Sequence, residues 1–174
     1  NRFVPYGTTF DRFSSPLLQV LNLKYVFSTM EDRPPGTADA AVVLSTGSGR
    51  LWRLRSVQPR SFLVPEAVLA RNDSEAARLL ADAPAAVYHR VILSTPNVLL
   101  LKPSASSARA ESSVRAIRYD ARQAVWQVRT AEPSYMVTTD SYYPGWHAYI
   151  DGVETPVYRA NIAFRAIVLP AGEH

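Results

Sequence analysis

"SVRAIRYDARQAVWQVRTAEPSYMVTTDS" fills residues 113–141, and its reading decides the fold. Two alternating runs, 113–120 and 124–131, flank the short polar turn Asp120-Ala121-Arg122-Gln123, which suits a β-hairpin. Val114, Ala116 and Ile117 carry the apolar positions of the first run, and Val125 and Val128 anchor the second. "PSYMVTTDS" (133–141) reads as a third strand, "WHAYID" (146–151) as a fourth, "VETPVYR" (153–159) as a fifth and "AFRAIVLP" (163–170) as a sixth. Asp151-Gly152 marks a two-residue hairpin, because both central positions of a type I′ turn need φ > 0. Strands so closely spaced and so punctuated predict an antiparallel meander folded as a sandwich or a curved sheet. "PAGEH" (170–174) is a turn with no strand after it, so one more strand is expected to be missing and an edge left unpaired.

Upstream of this block, "SASSARAESS" (104–113) is a small-residue stretch that puts a linker at 104–112. It divides a strand-and-helix part, 1–103, from the meander over 113–174, with one compact domain as the alternative. "SSPLLQVLN" (14–22) reads as a short helix, capped by Ser14 or Ser15 with Pro16 in its first turn. "LKYVFS" (23–28), "AAVVLS" (40–45) and "GRLWRLRSV" (49–57) read as strands, with "EDRPPGTADA" (31–40) a proline-rich loop. In "RSFLVPEAVLA" (60–70), Pro65 breaks an extended apolar run and demands an edge or a bulge. "NDSEAARLLAD" (72–82) is the clearest helix: Asn72 and Glu75 stand at capping-box spacing, and Ala76, Leu79 and Leu80 share one face. Asn72-Asp73-Ser74 is also a glycosylation sequon, but a capping asparagine needs no sugar. "AAVYHRVILS" (85–94) and "NVLLLKP" (97–103) complete the strands. The predicted fold class is mostly β (α+β), with an antiparallel, sandwich-like C-terminal half and a smaller α/β N-terminal half.

A chain of 174 residues with 47% apolar and 20% charged content can bury a sizeable core. No run approaches the roughly 20 apolar residues that span a bilayer. The chain begins at Asn1 with no basic-then-apolar leader and reads as a piece of something longer. Its charge of +4 comes from 17 arginines and 2 lysines, which with 23 alanines fits base composition or a warm habitat better than a function. With no cysteine, disulfides and thiolate metal sites are excluded, and either side of a membrane is permitted.

Chemistry concentrates in "DSYYPGWHAYIDG" (140–152). One reading is structural: Pro144-Gly145 reverses the chain, Trp146, Ala148 and Ile150 share one strand face, and His147, Tyr149 and Asp151 share the other. Trp146 then plugs the end of the sandwich. A second reading is glycan binding, with Tyr142, Tyr143 and Trp146 as flat platforms and Asp140 and His147 meeting hydroxyls. A third is hydrolysis, for which Asp140, Asp151 and Glu154 are the nearby carboxylates. No catalytic residue is assigned: Asp151 is engaged in its turn, and no nucleophile elbow or phosphate loop occurs. His89, His147 and His174 lack ligand spacing, so neither metal nor cofactor is expected. "GRLWRLRSVQPR" (49–60) carries four arginines and a tryptophan. In a strand Arg53, Arg55 and Val57 face one way and Trp52 and Leu54 the other, which describes a solvated basic face rather than a nucleic-acid site.

Three blocks, "LNLKYVFS" (21–28), "QPRSFLV" (58–64) and "DSYYPGWHAYIDGVETPVYRANIAFRAIVLPAGEH" (140–174), resemble the C-terminal soluble region of YfhO-type bacterial polytopic membrane proteins. The last block is the specific one. The membrane part of such proteins is similar to glycosyltransferases that use lipid-linked sugars, with catalytic carboxylates in loops between spans. The resemblance implies a cell-membrane location on the extracytoplasmic face and an active site outside this stretch. It also implies partners in the membrane-embedded part of the same chain and in a glycan or cell-envelope polymer, not in nucleic acid. The function expected is that of a non-catalytic accessory or acceptor-glycan-binding domain, with a free-standing carbohydrate-binding module as the alternative.

Overall fold

Alternating runs dominate this sequence, and the computed structural model is mostly β, with several sheets, one of them curled into a half-barrel. It describes residues 21–29, 40–55, 57–95, 98, 100–101 and 112–174. The expected helix over 14–22, the loop over 31–40, the strand over 97–103 and the linker over 104–112 lie wholly or mostly outside these residues. The chain divides into two units between Gln58 and Pro59. Among the described residues no helix is long and apolar enough to cross a membrane.

In the first unit β1 (Tyr25–Thr29), β2 (Ala40–Ser45) and β3 (Gly49–Leu54) form an antiparallel sheet in the order β1-β3-β2. Thr46 closes the β2–β3 turn, its amide donating to the Gly49 carbonyl at 2.9 Å and its hydroxyl accepting from the Gly49 amide at 3.2 Å. Trp52 and Leu54 turn inward with Ala40, against Val26 and Val57. Arg53 and Arg55 face solvent, as period-2 alternation predicts. Val57 departs from that pattern and packs on the Trp52 side.

The second unit begins with β4 (Ser61–Val64), β5 (Glu66–Leu69), helix α1 (Asp73–Asp82), a 3₁₀ turn (Pro84–Tyr88) and β6 (Arg90–Leu93). The hairpin β7 (Ser113–Tyr119) and β8 (Ala124–Thr130) follows, then β9 (Ser134–Thr138), β10 (Ala148–Ile150) and β11 (Val153–Thr155). The last strands are β12 (Tyr158–Ala160), β13 (Phe164–Leu169) and β14 (Gly172–Glu173). Six of them form one sheet in the order β4-β9-β13-β12-β6-β5. β4 and β5 occupy its opposite edges, yet only Pro65 separates them. The sheet therefore has to roll until its two edges come together, and this is the physical origin of the curl. Pro65, which has no N–H to give a ladder, sits at that corner at no cost.

β5 and β6 pair in parallel, and α1 supplies the crossover that parallel pairing requires. Asn72 caps α1 by accepting the Glu75 amide at 2.9 Å, and Ala76 and Leu80 form its buried face. The strand expected from residue 85 starts only at Arg90, because Pro84 opens the 3₁₀ turn instead.

From residue 113 on, the expected meander is divided between sheets. β7 and β8 pair as predicted, but β9 leaves them to lie between β4 and β13, buried along its whole length. The turn through Pro133 makes the transfer: the Thr130 and Ser134 hydroxyls donate to the Glu132 carbonyl at 2.7 and 3.0 Å. Val128, Met136 and Leu169 join the two sheets in one core, with Trp126 and Ile150 packed on it. Trp126 and Val128 thus point inward while Val125 points out, so only one of the two expected valine anchors serves as one. Pro156 cuts the expected fifth strand into β11, which pairs with β10, and β12, which pairs with β13 and β6. Asp151 (φ 51°) and Gly152 (φ 85°) form the predicted hairpin turn. The turn after Leu169 delivers a short strand, contrary to expectation: Gly172 pairs with Thr130 and Glu173 with Arg129 of β8. Val128 and His174 then exchange backbone hydrogen bonds at 2.9 and 2.8 Å.

Candidate functional site

Pro144-Gly145 reverses the chain as its residue types dictate: Gly145 takes φ 118°, and the Trp146 amide donates to the Tyr143 carbonyl at 3.4 Å. The turn delivers Trp146 to a cleft of about 840 Å³ that runs between β8 and β10 over Met136, Ile167 and Leu169. Along β10 the predicted alternation holds: Trp146, Ala148 and Ile150 are half-buried, while His147, Tyr149 and Asp151 are exposed.

Behind Trp146 stands Arg165 of β13, a single charge in an apolar run. Its guanidinium carbon lies 4.1 Å from the Trp146 ring centroid, a cation–π contact, and its Nη2 lies 3.1 Å from the Asp140 carboxylate. Arg165 is only 8% exposed, and its Nε has no hydrogen-bond partner among the described residues. Asp140 also accepts from the Thr138 hydroxyl at 2.6 Å and from the Tyr119 hydroxyl. Arg60 approaches Asp140 to 3.6 Å and stacks over the Tyr119 ring at 4.6 Å. Burial works against the Asp140 charge, but the Thr138 and Tyr119 hydrogen bonds and the Arg165 and Arg60 charges outweigh it and hold the carboxyl below its ordinary value. Burial, reinforced by Asp140, pushes the Tyr119 hydroxyl up.

Of the five residues expected to meet a glycan, Trp146 and His147 line the cleft. Asp140 lies outside the lining, bound to Arg165. Tyr143 is 71% exposed and Tyr142 is half-buried, its amide donating to the Ala163 carbonyl at 2.7 Å; neither belongs to the lining. Trp146 is no core plug: one indole face is backed by Arg165, and the residue borders open space. The other two motif carboxylates have basic partners of their own, Asp151 with the His174 ring and Glu154 with the His147 ring, each at 2.8 Å. Sequence reasoning missed Arg165, Thr138 and Tyr119 as parts of this network. For Arg165 the signal was present, since a lone arginine inside "AFRAIVL" needs a buried partner. Compared with known proteins, the chain matches no family model, no curated protein and no solved structure.

Proposed function

We propose that this chain is a non-catalytic extracytoplasmic accessory domain of a multi-spanning bacterial membrane protein of the YfhO type, itself a lipid-linked-sugar glycosyltransferase. The observation that carries the non-catalytic part is the engagement of all three motif carboxylates. Asp140 is tied to Arg165, Asp151 to His174 and Glu154 to His147. Glycoside hydrolysis needs two carboxyl groups facing each other across the scissile bond, one free to protonate and one to attack or to activate water. Membrane attachment rests on the resemblance of residues 140–174. Incubation with aryl glycosides and with a lipid-linked sugar donor is expected to yield no product above the blank. Product that disappears in Asp140→Asn or Glu154→Gln would overturn the reading.

A second reading, acceptor-glycan binding by this domain or by a free-standing carbohydrate-binding module, is favoured by Trp146 itself. An indole in contact with a buried cation and bordering a cleft offers an apolar surface on which a pyranose ring can stack. Oligosaccharide titration followed at the Trp146 indole N–H tests it: saturable shifts abolished in Trp146→Ala sustain it, and unchanged spectra refute it.

A further inference from the structure

Residues directly opposed in an antiparallel ladder share a sheet face. In the first unit Trp52 lies opposite Val26, and both belong to the inner face with Leu54 and Ala40. The alternate rows therefore look out. Phe27 lies opposite Leu51, which lies opposite Leu44; Tyr25 lies opposite Arg53, which lies opposite Ala41. Tyr25 is 50% exposed, Leu44 57% and Phe27 62%, so each leaves half or more of its surface in water. The Phe27 ring lies across the space that a side chain at residue 49 would fill, which glycine alone leaves open. Single apolar residues on a surface need no explanation, whereas a contiguous apolar patch marks a contact. Arg53 stands within this patch, and Arg55, exposed just beyond β3, follows it at the same phase. Among the described residues of this unit, 21–29, 40–55 and 57–58, the charged side chains are Lys24, Arg50, Arg53 and Arg55, with neither aspartate nor glutamate.

We propose that the outer face of the β1-β3-β2 sheet is a lipid-contact surface that docks the domain on an anionic bilayer. Tyr25, Phe27, Leu44 and Leu51 enter the boundary between headgroups and acyl chains, and Arg53 and Arg55 pair with lipid phosphates. The patch and its charge point to the same partner. Tyrosine suits the membrane interface because its ring is apolar and its hydroxyl wet. Arginine presents a fork that matches phosphate, and each basic side chain close to an anionic surface adds to the attraction. Nucleic acid would use the arginines but gives Phe27 and Leu44 no apolar phase to enter. A second copy of this face would bring the same arginines and, among the described residues of the unit, no carboxylate to meet them. This inference goes beyond the accessory reading: it requires no membrane span and stands on the surface of this sheet alone.

The test is cosedimentation of the chain with vesicles of equal parts phosphatidylglycerol and phosphatidylcholine, against vesicles of phosphatidylcholine alone. Binding to the first that weakens with added salt, and little binding to the second, is expected. Arg53→Gln/Arg55→Gln is expected to lower partitioning roughly tenfold or more, Arg53→Lys/Arg55→Lys to restore most of it, and Phe27→Ser/Leu44→Ser to lower it roughly tenfold. Unchanged amide exchange across β1–β3 in each variant separates a lost contact from a lost sheet. Because the chain has no cysteine, Leu44→Cys takes a single polarity-sensitive label, whose emission is expected to shift to the blue on the anionic vesicles. The proposal is overturned if the two vesicles bind alike, if the glutamine and serine variants partition as wild type does, or if the label does not respond. It is equally overturned if the chain binds DNA but not vesicles, or forms a dimer that Phe27→Ser/Leu44→Ser dissolves. The glycoside and oligosaccharide assays report on residues of the second unit, so either idea can fail without the other.

Discussion

Replacing Asp140 by alanine strands a buried cation. Arg165 is 8% exposed, and among the described residues its Nε is already unpartnered and Asp140 is the carboxylate its guanidinium meets. Removing one partner of a buried ion pair costs about 3–5 kcal/mol. Arg165 keeps its contact with Trp146 and borders the cleft, where water reaches it, so Asp140→Ala belongs at the low end, about 3 kcal/mol. The reverse deletion is milder. In Arg165→Met the carboxylate retains the Thr138 and Tyr119 hydroxyls and Arg60, and the expected loss is about 1–2 kcal/mol. The double variant Asp140→Ala/Arg165→Met leaves no orphaned charge and is expected to be more stable than Asp140→Ala by about 1–2 kcal/mol, the signature of coupled neighbours. Urea unfolding at pH 7, followed at the Trp126 and Trp146 indole signals, measures all four proteins, and equal m-values make them comparable. A cost below about 1 kcal/mol for Asp140→Ala, or a double variant no more stable than that single, would refute the account. Acid gives a second check. Because the folded-state carboxyl sits below its ordinary value, its contribution is full above the unfolded pKa of about 3.9 and is lost as pH falls through the folded one, so wild type declines more steeply below about pH 4 than the double variant does.

Three further outcomes are expected. Asn161, buried at φ 45°, accepts the Ile92 amide on its side chain at 2.9 Å; Asn161→Ala orphans that amide and forces alanine into a left-handed conformation, costing about 2–4 kcal/mol in urea unfolding, whereas Asn161→Gly is expected to lose less. A Cβ at Gly49 would meet the Phe27 ring and the Ser28 carbonyl oxygen at 2.5 Å, so Gly49→Ala is expected to cost about 1–3 kcal/mol and to raise amide exchange across β1–β3, and unchanged exchange would count against that register. The Arg71 side chain, then its backbone amide, hold the Glu75 carboxyl down to about 2. An NMR titration is expected to place Glu75 near that value and Arg71→Ala to move it toward about 4.3; since the folded value is the lower one, the stability it brings is present above about pH 4.3 and fades toward pH 2, and a wild-type midpoint above 4 refutes the contact.

Local signals with a single physical cause were legible in the sequence. Asn72 and Glu75 mark a helix start, Asp151-Gly152 a type I′ turn and Pro65 a break, and each sits where its chemistry requires. The half-buried alternation of Trp146, Ala148 and Ile150 is equally readable, because strand geometry leaves two faces and no third. Pairing partners were not legible. β9 reads as the third strand of a meander, and its departure to lie between β4 and β13 depends on long-range packing that no local window contains. Pro156 was on view inside "VETPVYR", yet its effect, two strands with different partners, follows from pairing and not from propensity. The candidate site divides the same way. Trp146 and His147 were found from composition, whereas the Arg165–Asp140–Tyr119 network joins three strands and their loops that only the folded chain brings together.

The rolled sheet imposes an order on folding. β7–β8, β10–β11 and β12–β13 each zip from neighbours close in sequence, but β4 needs the distant β9, and β9 joins the rest of the sheet only through β13. β4 is made early and stays without a ladder partner until β9 has been added. The seam beside Pro65 therefore shuts last, and a chain halted before β9 leaves the apolar ribbon of β4 uncovered.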